Sequence, residues 1–369
     1  MHYPKFTSES VCSGHPDKIC DAISDSILDA AYEADPYSRV AVETLVTKDF
    51  VVIAGEVTTT AKLDYAAIAR KTICSLGYTD PHLGFTDRSQ IVVKLHTQSR
   101  EISQGVDQDG AGDQGMMFGY ACRQTDSLMP LPIALAHDIT KGIDTARESG
   151  AIPYLRPDGK AQVTVSYKNG IATILDSVVV AVPHAEAITL KELTHDLYTL
   201  VITPIIARYG FKYLAKDLIV NGTGVWHIPG PASDTGVTGR KIVVDTYGGY
   251  ARVGGGAFSG KDVTKVDRSG AYAARYLAKN IVAAGLSDEC EVALAYFIGA
   301  KRPVMQEYET FGTAKVTQKV IRDFATKLLD TSVKGIIEGL DLRRPIYRAT
   351  SSGGHFGRAS FPWEKINQN

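Results

Sequence analysis

A glycine-rich stretch after residue 253 has the composition of a loop that binds polyphosphate. It reads Gly254-Gly255-Gly256-Ala257-Phe258-Ser259-Gly260-Lys261-Asp262, and its second part, from Gly255 to Lys261, fits the spacing GxxxxGK. Glycines allow backbone N–H groups to approach phosphate oxygens, and a lysine adds positive charge. Asp262 stands where a nucleoside triphosphatase has the Ser or Thr that binds magnesium. We therefore predict a phosphate-binding loop that lacks the magnesium-binding hydroxyl of a nucleoside triphosphatase. A strand is predicted before it, at Ile242–Val244. A structural glycine turn is the alternative.

Charged residues on both sides of this loop favour the phosphate interpretation. The cations are Arg240, Lys241, Lys261, Lys265 and Arg268. The acids among them are Asp234, Asp245, Asp262 and Asp267. Several cations around one turn suit a polyphosphate, and Mg²⁺ prefers one or two carboxylates plus phosphate oxygens. The pattern therefore indicates a magnesium–polyphosphate site.

A second dense cluster lies near the N-terminus, in Gly14-His15-Pro16-Asp17-Lys18. Pro16 suits the first turn of a helix, and Asp17 and Asp21 then share one helix face. Asp17 is a candidate cation ligand, and His15 is either a site residue or a structural histidine. For the next two acids of the row, Asp25 and Asp29, we expect a solvated helix face.

A third glycine cluster, Gly110–Gly115, matches GxGxxG by its letters. It follows the polar stretch Gln104–Asp109 rather than a strand, so a dinucleotide site is disfavoured. An EF-hand loop is excluded because Phe118 stands where the closing Glu belongs. A glycine hinge is the remaining structural alternative.

Composition narrows the class of protein. The chain has 369 residues and carries 40 Lys and Arg against 41 Asp and Glu, a net charge of -1. Such a balance provides no general attraction to nucleic acid or to an anionic membrane. Neither a membrane-spanning run nor a signal-peptide core is expected from the apolar pattern. Five cysteines without a CxxC pair predict reduced, mostly buried thiols in the cytoplasm.

The same order of elements, helix, two strands and helix, occurs three times along the chain. Predicted helices cover Asp17–Ala34, Leu63–Leu76, Ile133–Glu148, Leu190–Arg208, Arg268–Ala284 and Lys319–Leu329. Predicted strands cover Arg39–Val46, Val51–Thr58, Gln162–Tyr167, Ala172–Val182, Glu291–Ile298 and Met305–Thr310. The fold class is therefore α/β (α+β), with three similar units, each a small mostly antiparallel or mixed sheet backed by helices, in a pseudo-threefold arrangement.

Several ordered motifs together resemble one family. Phe6–Val11 before Gly14–Lys18 is similar to the opening of the bacterial S-adenosylmethionine synthetases. Gly110–Gly115 resembles their GAGDQG signature, and Gly254–Asp262 resembles GGGAFSGKD. Shorter matches are Leu155–Asp158, Thr238–Lys241, Asp245–Gly249, Lys265–Ser269 and Gly354–Arg358.

The resemblance implies a reaction and its cofactors. Methionine sulfur would attack the ribose C5′ of ATP, and the triphosphate would leave and then be hydrolysed to pyrophosphate and phosphate. Two Mg²⁺ ions and one K⁺ ion would assist. The partners would be ATP, L-methionine and further copies of the chain, as a dimer of dimers with active sites at the dimer interface. The resemblance also implies an N-terminal domain at 1–99, a central domain at 108–227 and a C-terminal domain at 228–369. A mobile active-site loop would cover residues 98–109.

Site residues follow from the same resemblance, position by position. The catalytic set is His15, Lys160, Arg240, Lys261 and Lys265. ATP contacts are those residues other than Lys265, together with Asp113, Asp158, Trp226, Asp234, Lys241 and Ala257. Methionine contacts are Glu56, Gln98, Asp234 and Lys265. Metal ligands are Asp17 for Mg²⁺, Asp267 for Mg²⁺ or K⁺, and Glu43 for K⁺.

Two departures from the family pattern leave rival functions open. Val225 stands where bacterial members commonly have arginine, although Trp226 could still stack on adenine. The segment Gln98–Asp109 is also shorter than the family's loop. The rivals are an ATP-dependent phosphotransferase, which the missing Ser or Thr after Lys261 disfavours, and a non-catalytic nucleotide sensor.

Overall fold

The computed structural model describes residues 4–97 and 110–367. Strand β1 covers Lys5–Val11, and helix α1 follows at Pro16–Ala34. Strands β2 (Arg39–Thr47) and β3 (Phe50–Thr58) form a hairpin, followed by α2 (Tyr65–Ser75) and β4 (Gln90–His96). The predicted helices and strands of this segment are confirmed with shifts of one or two residues at their ends.

The next segment begins with strand β5 (Gly115–Cys122) and helix α3 (Leu131–Glu148). Strands β6 (Lys160–Lys168) and β7 (Ile171–Ala181) pair across Asn169-Gly170, where both residues have positive φ as this turn requires. The predicted helix Leu190–Arg208 is interrupted. It comprises α4 (Leu190–Asp196), a π-helical stretch at Leu197–Ile202 and α5 (Thr203–Arg208), where proline removes a donor. Strand β8 is Leu218–Val220.

The last segment opens with the short strand β9 (Gly236–Val237). The predicted strand Ile242–Val244 is wrong, because Ile242–Asp245 forms one helical turn, α6. Three valine and isoleucine residues are too short a run to show a period. The remaining elements are α7 (Val266–Ala283), β10 (Glu289–Tyr296), β11 (Met305–Glu309), α8 (Gln318–Leu328) and α9 (Val333–Gly339).

Three sheets organise the molecule, and each takes one strand from a distant part of the chain. Their strand orders are β1-β6-β7-β8, β4-β3-β2-β9 and β11-β10-β5. Pairing is antiparallel apart from β3 with β4 and β7 with β8. Thus β1 completes the sheet of β6, β7 and β8, which we call the central sheet. Strand β9 completes the sheet of β2, β3 and β4, and β5 completes the sheet of β10 and β11. The predicted mixed sheets are confirmed.

Helices cover one side of each sheet. Helix α1 packs on β2, α3 packs on β1 and β6, and α7 packs on β5 and β10. Their apolar sides form two buried clusters, one under the central sheet and one shared by the other two sheets. The loop at residues 236–241 therefore lies against the start of α1, where Val237 bonds to Asp17, and the loop at residues 254–267 lies further along the same helix, where Gly260 bonds to Asp25.

Candidate functional site

His15 is placed and oriented by the start of α1. It precedes Pro16 as the N-cap, and its Nδ1 accepts a hydrogen bond from the Asp17 backbone N–H at 3.2 Å. The ring is buried, and its Nε2 has no hydrogen-bond partner in the part of the chain that the structure describes. Burial, followed by the charges of Lys241 and Lys160, lowers the pKa of His15 to about 3. The imidazole is therefore neutral, and since Nδ1 accepts, the proton is assigned to Nε2.

Asp17 joins this histidine to the loop that contains the predicted cations. Its Oδ1 accepts from the Val237 backbone N–H at 2.9 Å, and its Oδ2 accepts from Lys241 Nζ at 2.6 Å. Burial alone would raise the pKa of Asp17, but the hydrogen bonds from Lys241 and Val237 outweigh it and the pKa is lowered. Gly236 makes this arrangement possible, because a Cβ there would collide with the carbonyl of Pro16.

The segment with Asp158 and Lys160 runs beside the loop that precedes His15. The Cys12 backbone N–H donates to the carbonyl of Gly159 at 2.9 Å, so the loop before His15 and the start of β6 lie side by side. Asp158 is buried and accepts backbone N–H groups from Gly159 and Gly230 at 2.7 and 2.8 Å. Burial raises the pKa of Asp158 to about 7 against these hydrogen bonds. The side chain of Lys160 is exposed to solvent.

The predicted phosphate loop forms a second cluster. Lys261 Nζ lies 2.6 Å from Asp267 Oδ2, and both side chains are partly exposed. Two glycines approach this carboxylate closely, since a Cβ on Gly256 would collide with it and one on Gly115 would lie 3.3 Å from its Oδ1. The signatures Gly110–Gly115 and Gly254–Asp262 therefore meet at Asp267.

Lys265 also belongs to this cluster, but the carboxylate with which it pairs, that of Asp262, is not free to bind a ligand. Lys265 Nζ bonds to Asp262, whose carboxylate is fully buried and accepts the Val40 N–H at 2.8 Å. Burial raises the pKa of Asp262, but Lys265 and the hydrogen bonds lower it below its ordinary value. Asp262 therefore anchors the loop, and its predicted part in a magnesium site is wrong.

Strand β2 connects the two clusters. The phosphate loop pairs with it near Val42, whose N–H donates to the Gly260 carbonyl at 2.9 Å. The segment before Lys241 pairs two residues further along, where Thr238 N–H donates to the Thr44 carbonyl at 3.0 Å. Glu43, the predicted K⁺ ligand, lies between these two attachment points with an exposed side chain.

Ala257, a predicted ATP contact, lies at the closest approach of these loops. A Cβ on Gly239 would collide with that of Ala257. Arg240 follows Gly239 directly and has an exposed side chain. The two clusters therefore border one another along β2.

The predicted adenine-side residues are less tightly grouped. Trp226 is partly exposed, and its indole N–H donates to the Ile228 carbonyl at 2.7 Å. Asp234 is exposed close enough to Asp158 to raise the pKa of that carboxyl. Asp113 is exposed and accepts the N–H of Gln114 at 2.7 Å. Asp234 thus lies near Asp158, and Asp113 lies two residues before Gly115, which approaches Asp267 of the phosphate-loop cluster.

Glu56, one of the predicted methionine contacts, lies near the end of β3, beside the last residue of β4. Glu56 Oε1 is 3.1 Å from His96 Nε2, two residues before Gln98. Gln98 and the predicted mobile loop 98–109 lie outside the described residues.

The expectation of a solvated acidic face on α1 is wrong. Asp25 and Asp29 both bind partners from the C-terminal third of the chain. Asp25 receives Arg268 in bidentate fashion, and Asp29 accepts the N–H groups of Tyr347 and Arg348 at 2.9 and 2.7 Å. Arg268 is consequently a buried structural cation and not a phosphate ligand.

One buried charged group was missed altogether. Lys18 bonds to Asp21 at 3.0 Å and also to Asp245, and all three side chains are buried. Asp245 is therefore not available as a metal ligand. The sequence contained no signal for this burial, because acids spaced four residues apart opposite an apolar face are also the pattern of an amphipathic surface helix.

The carboxylates that remain suit magnesium bound to a phosphate. Asp17 and Asp267 each pair with a lysine ammonium beside glycine-rich backbone. Among residues 4–97 and 110–367, no group of three or more His, Cys, Asp or Glu forms a ready-made metal cage. Such a donor set fits Mg²⁺, which is held by few carboxylates and completes its shell with phosphate and water oxygens.

No helix in the described ranges combines the length and the apolar character that crossing a bilayer requires. All five cysteines are free; Cys74 is exposed and the other four are buried.

Comparison with known proteins covers nearly the whole chain. Models of the N-terminal, central and C-terminal domains of S-adenosylmethionine synthetase match residues 4–100, 108–226 and 228–365. An S-adenosylmethionine synthase from Sulfurovum sp. is 50% identical over 98% of this chain and 96% of its own length. S-adenosylmethionine synthase 1 from Rhodospirillum rubrum is 52% identical over 98% of this chain and 96% of its own length.

Proposed function

The chain belongs to the S-adenosylmethionine synthetase family and makes S-adenosylmethionine from ATP and methionine, and we propose that its two lysine–carboxylate clusters hold the triphosphate in this reaction. The observation that carries the proposal is the pairing of Lys241 with Asp17 and of Lys261 with Asp267, on neighbouring loops beside β2. Each pair offers an ammonium group to phosphate oxygens and a carboxylate to a metal ion.

The reaction requires alignment of the reacting atoms and stabilisation of the negative charge on the leaving triphosphate. A lone pair of the methionine sulfur forms the bond to ribose C5′ while the C5′–O bond breaks, and the triphosphate leaves with the electron pair. The sulfur is neutral and has no proton to lose, so no general base is needed. Positioning of the reactants and electrostatic stabilisation of the leaving group supply the catalysis.

His15 and the lysines meet those demands in different ways. The Nε2–H of neutral His15 donates a hydrogen bond to the triphosphate near the breaking bond. Lys160, Lys261 and Lys265, together with Arg240, neutralise the departing charge. Trp226 supports adenine, with Asp113, Asp158 and Ala257 as further pocket contacts. Glu56, Gln98, Asp234 and Lys265 contact methionine.

Cations complete the site. Members of the family use a divalent and a monovalent cation, and we propose two Mg²⁺ and one K⁺ for this chain. Asp17 and Asp267 would hold the magnesium ions, which neutralise triphosphate charge, and Glu43 would hold potassium. The same groups would then serve hydrolysis of the triphosphate to pyrophosphate and phosphate.

The oligomer and the compartment are also part of the proposal. A second copy completes each active site, in a dimer of dimers. Exposed apolar side chains on the sheets and loops support this, among them Met116, Ile171, Ile174 and Phe297. Free thiols at all five cysteines suit a reducing cytoplasm.

Product analysis tests the function. The protein is incubated with ATP, methionine, Mg²⁺ and K⁺, and the products are separated by chromatography. We expect S-adenosylmethionine together with pyrophosphate and phosphate, all dependent on methionine. Methionine-dependent ADP would instead identify a phosphotransferase, and nucleotide binding without turnover would identify a sensor.

A further inference from the structure

The tripeptide Arg156-Pro157-Asp158 holds the loop that contains Trp226 at two points. Arg156 Nη1 donates to the carbonyl of His227 at 2.5 Å. Asp158 Oδ2 accepts the N–H of Gly230 at 2.8 Å. Since Trp226 directly precedes His227, the base-side loop, residues 226–230, is attached at both ends to this one tripeptide.

The same tripeptide is also attached to the loop of His15. The hydroxyl of Tyr78 lies 2.6 Å from the Gly14 carbonyl oxygen and 2.5 Å from that of Pro157, so its proton bridges two loops. Tyr78 is fully buried. A Cβ on Gly14 would collide with the Pro157 carbonyl, so the two backbones are in direct contact. The tripeptide therefore fixes the base-side loop relative to His15.

A second, indirect connection runs through residues 183–184, because the Arg156 backbone N–H donates to the Pro183 carbonyl at 2.9 Å and Leu155 pairs with His184. The His184 N–H donates to the Trp226 carbonyl at 3.0 Å, and His227 Nδ1 lies 2.9 Å from the His184 carbonyl. The indole N–H of Trp226 bonds within the loop, to Ile228. The Arg156 side chain makes the direct hydrogen bond from the tripeptide to the His227 end of the loop, whereas the path through Pro183 and His184 is indirect.

We propose that Arg156 is a positioning residue, which holds Trp226 at the distance from His15 that an adenosine 5′-triphosphate requires. This inference rests on the proposed function, in which Trp226 supports adenine and His15 contacts the triphosphate. Arg156 acts through the His227 carbonyl and does not touch substrate. It therefore affects substrates that span both sites and leaves those that occupy only the phosphate side unchanged.

Two substrates separate this role from phosphate binding. ATP needs both the base side and the phosphate side, whereas inorganic tripolyphosphate needs the phosphate side alone. Arg156→Met removes the donor to the His227 carbonyl and keeps a side chain of similar length. We expect kcat/KM for ATP to fall roughly tenfold to a hundredfold, as misplacement of a bound group does. Hydrolysis of tripolyphosphate should stay within about twofold of wild type.

Tryptophan fluorescence provides a second measurement that is independent of activity. The chain has two tryptophans. Trp363 is fully buried and stacks on Tyr272 with ring centroids 3.7 Å apart, whereas Trp226 is partly exposed. Acrylamide quenching should therefore report mainly on Trp226, and Trp226→Phe assigns that signal. We expect Arg156→Met to increase the quenchable fraction, because the loop loses one attachment.

Conservative and matched variants complete the experiment. Arg156→Lys retains a donor and should recover part of the ATP activity, and it carries the test if Arg156→Met does not fold. Arg123→Met is the control, since Arg123 also donates to a backbone carbonyl, that of Val282 at 2.6 Å. Unchanged ATP kinetics and quenching in the Arg156 variants would overturn the proposal, as would equal losses with ATP and tripolyphosphate. A wild-type protein that makes no S-adenosylmethionine would instead refute the proposed function.

Discussion

The carboxylate of Asp25 receives both terminal nitrogens of Arg268, at 2.7 and 3.0 Å, and neither side chain is exposed to solvent. Asp25 Oδ1 also accepts the N–H of Gly260 at 2.9 Å, and Arg268 donates to the carbonyl of Lys261 at 3.2 Å. This buried ion pair therefore fixes the backbone on both sides of Lys261 and connects α1 to the phosphate loop.

Removing one member of that pair should destabilise the fold. Asp25→Ala leaves Arg268 buried without its counter-charge, and loss of one partner typically costs about 3–5 kcal/mol. Urea unfolding measures the free energy. The double variant Asp25→Ala with Arg268→Met should recover part of this loss, since no charge is left unpaired. If Asp25→Ala unfolded at the same urea concentration as wild type, the ion pair would not contribute to stability.

His15 should stay neutral across the working pH range. Its pKa is lowered from 6.5 to about 3, mainly by burial and by Lys241 and Lys160. Between these values the unfolded chain binds a proton that the folded chain does not, so stability falls as the pH drops from 6.5 toward 3. The slope contributed is at most about 1.4 kcal/mol per pH unit.

Nuclear magnetic resonance of the ligand-free protein measures this directly. The ring proton signal of His15 is assigned by its loss in His15→Asn. Between pH 5 and 8 this signal should stay in place, whereas that of a free histidine shifts as the ring titrates around its ordinary pKa of ~6.5. A titration midpoint near neutrality would show that His15 becomes charged within the working pH range and would contradict the assignment of a neutral ring.

Magnesium dependence should distinguish the two proposed metal ligands from other acids. Asp17→Asn and Asp267→Asn each remove one charged oxygen ligand, so the Mg²⁺ concentration needed for half-maximal rate should rise and the maximal rate should fall. Circular dichroism checks that both variants fold. Asp288→Asn is the control, since Asp288 is an exposed acid paired with Arg123 and Lys315. Wild-type magnesium dependence in both site variants would contradict the assignment.

Lys261 should act on the transition state more than on bound ATP. The triphosphate carries more charge as a leaving group than as an ester, so a fixed ammonium stabilises the transition state preferentially. Lys261→Met should lower the single-turnover rate roughly 10²–10³-fold, about 2.7–4 kcal/mol by analogy with an oxyanion donor. ATP affinity, titrated separately, should change far less.

An exposed lysine of another ion pair, Lys315, provides the control for the single-turnover rate of Lys261→Met. Lys315 pairs with Asp288 at 2.6 Å, and Lys315→Met should retain the wild-type rate. A rate for Lys261→Met within about threefold of wild type, or ~0.7 kcal/mol, would remove Lys261 from the catalytic residues.

A mixing experiment tests whether two copies share each active site. His15→Asn and Lys261→Met should each be nearly inactive alone. If a site takes His15 from one copy and Lys261 from the other, a mixed dimer contains one intact site. Activity should then reappear after the two variants are co-refolded. If the mixture stays as inactive as its components, both residues act within one copy.

Local patterns in the sequence were sufficient for the helices, most strands and the family. The periodicity of α1, the Asn169-Gly170 turn and the two glycine signatures depend on residues close in the chain, so they were predictable without a structure. The approach of Gly256 and Gly115 to Asp267 was not predictable in the same way, because the letters of Gly254–Asp262 indicated approach to phosphate and those of Gly110–Gly115 indicated only a hinge.

Only the tertiary structure decided which charges are free and which are structural. Asp25 looked like a surface acid, yet its partner Arg268 lies 243 residues away along the chain. Asp262 and Asp245 stood among candidate metal ligands, but burial against lysines and backbone N–H groups commits them to the fold. The exchange of β1, β5 and β9 between sheets was likewise invisible. Burial and pairing of a charge depend on long-range packing, which local sequence patterns do not record.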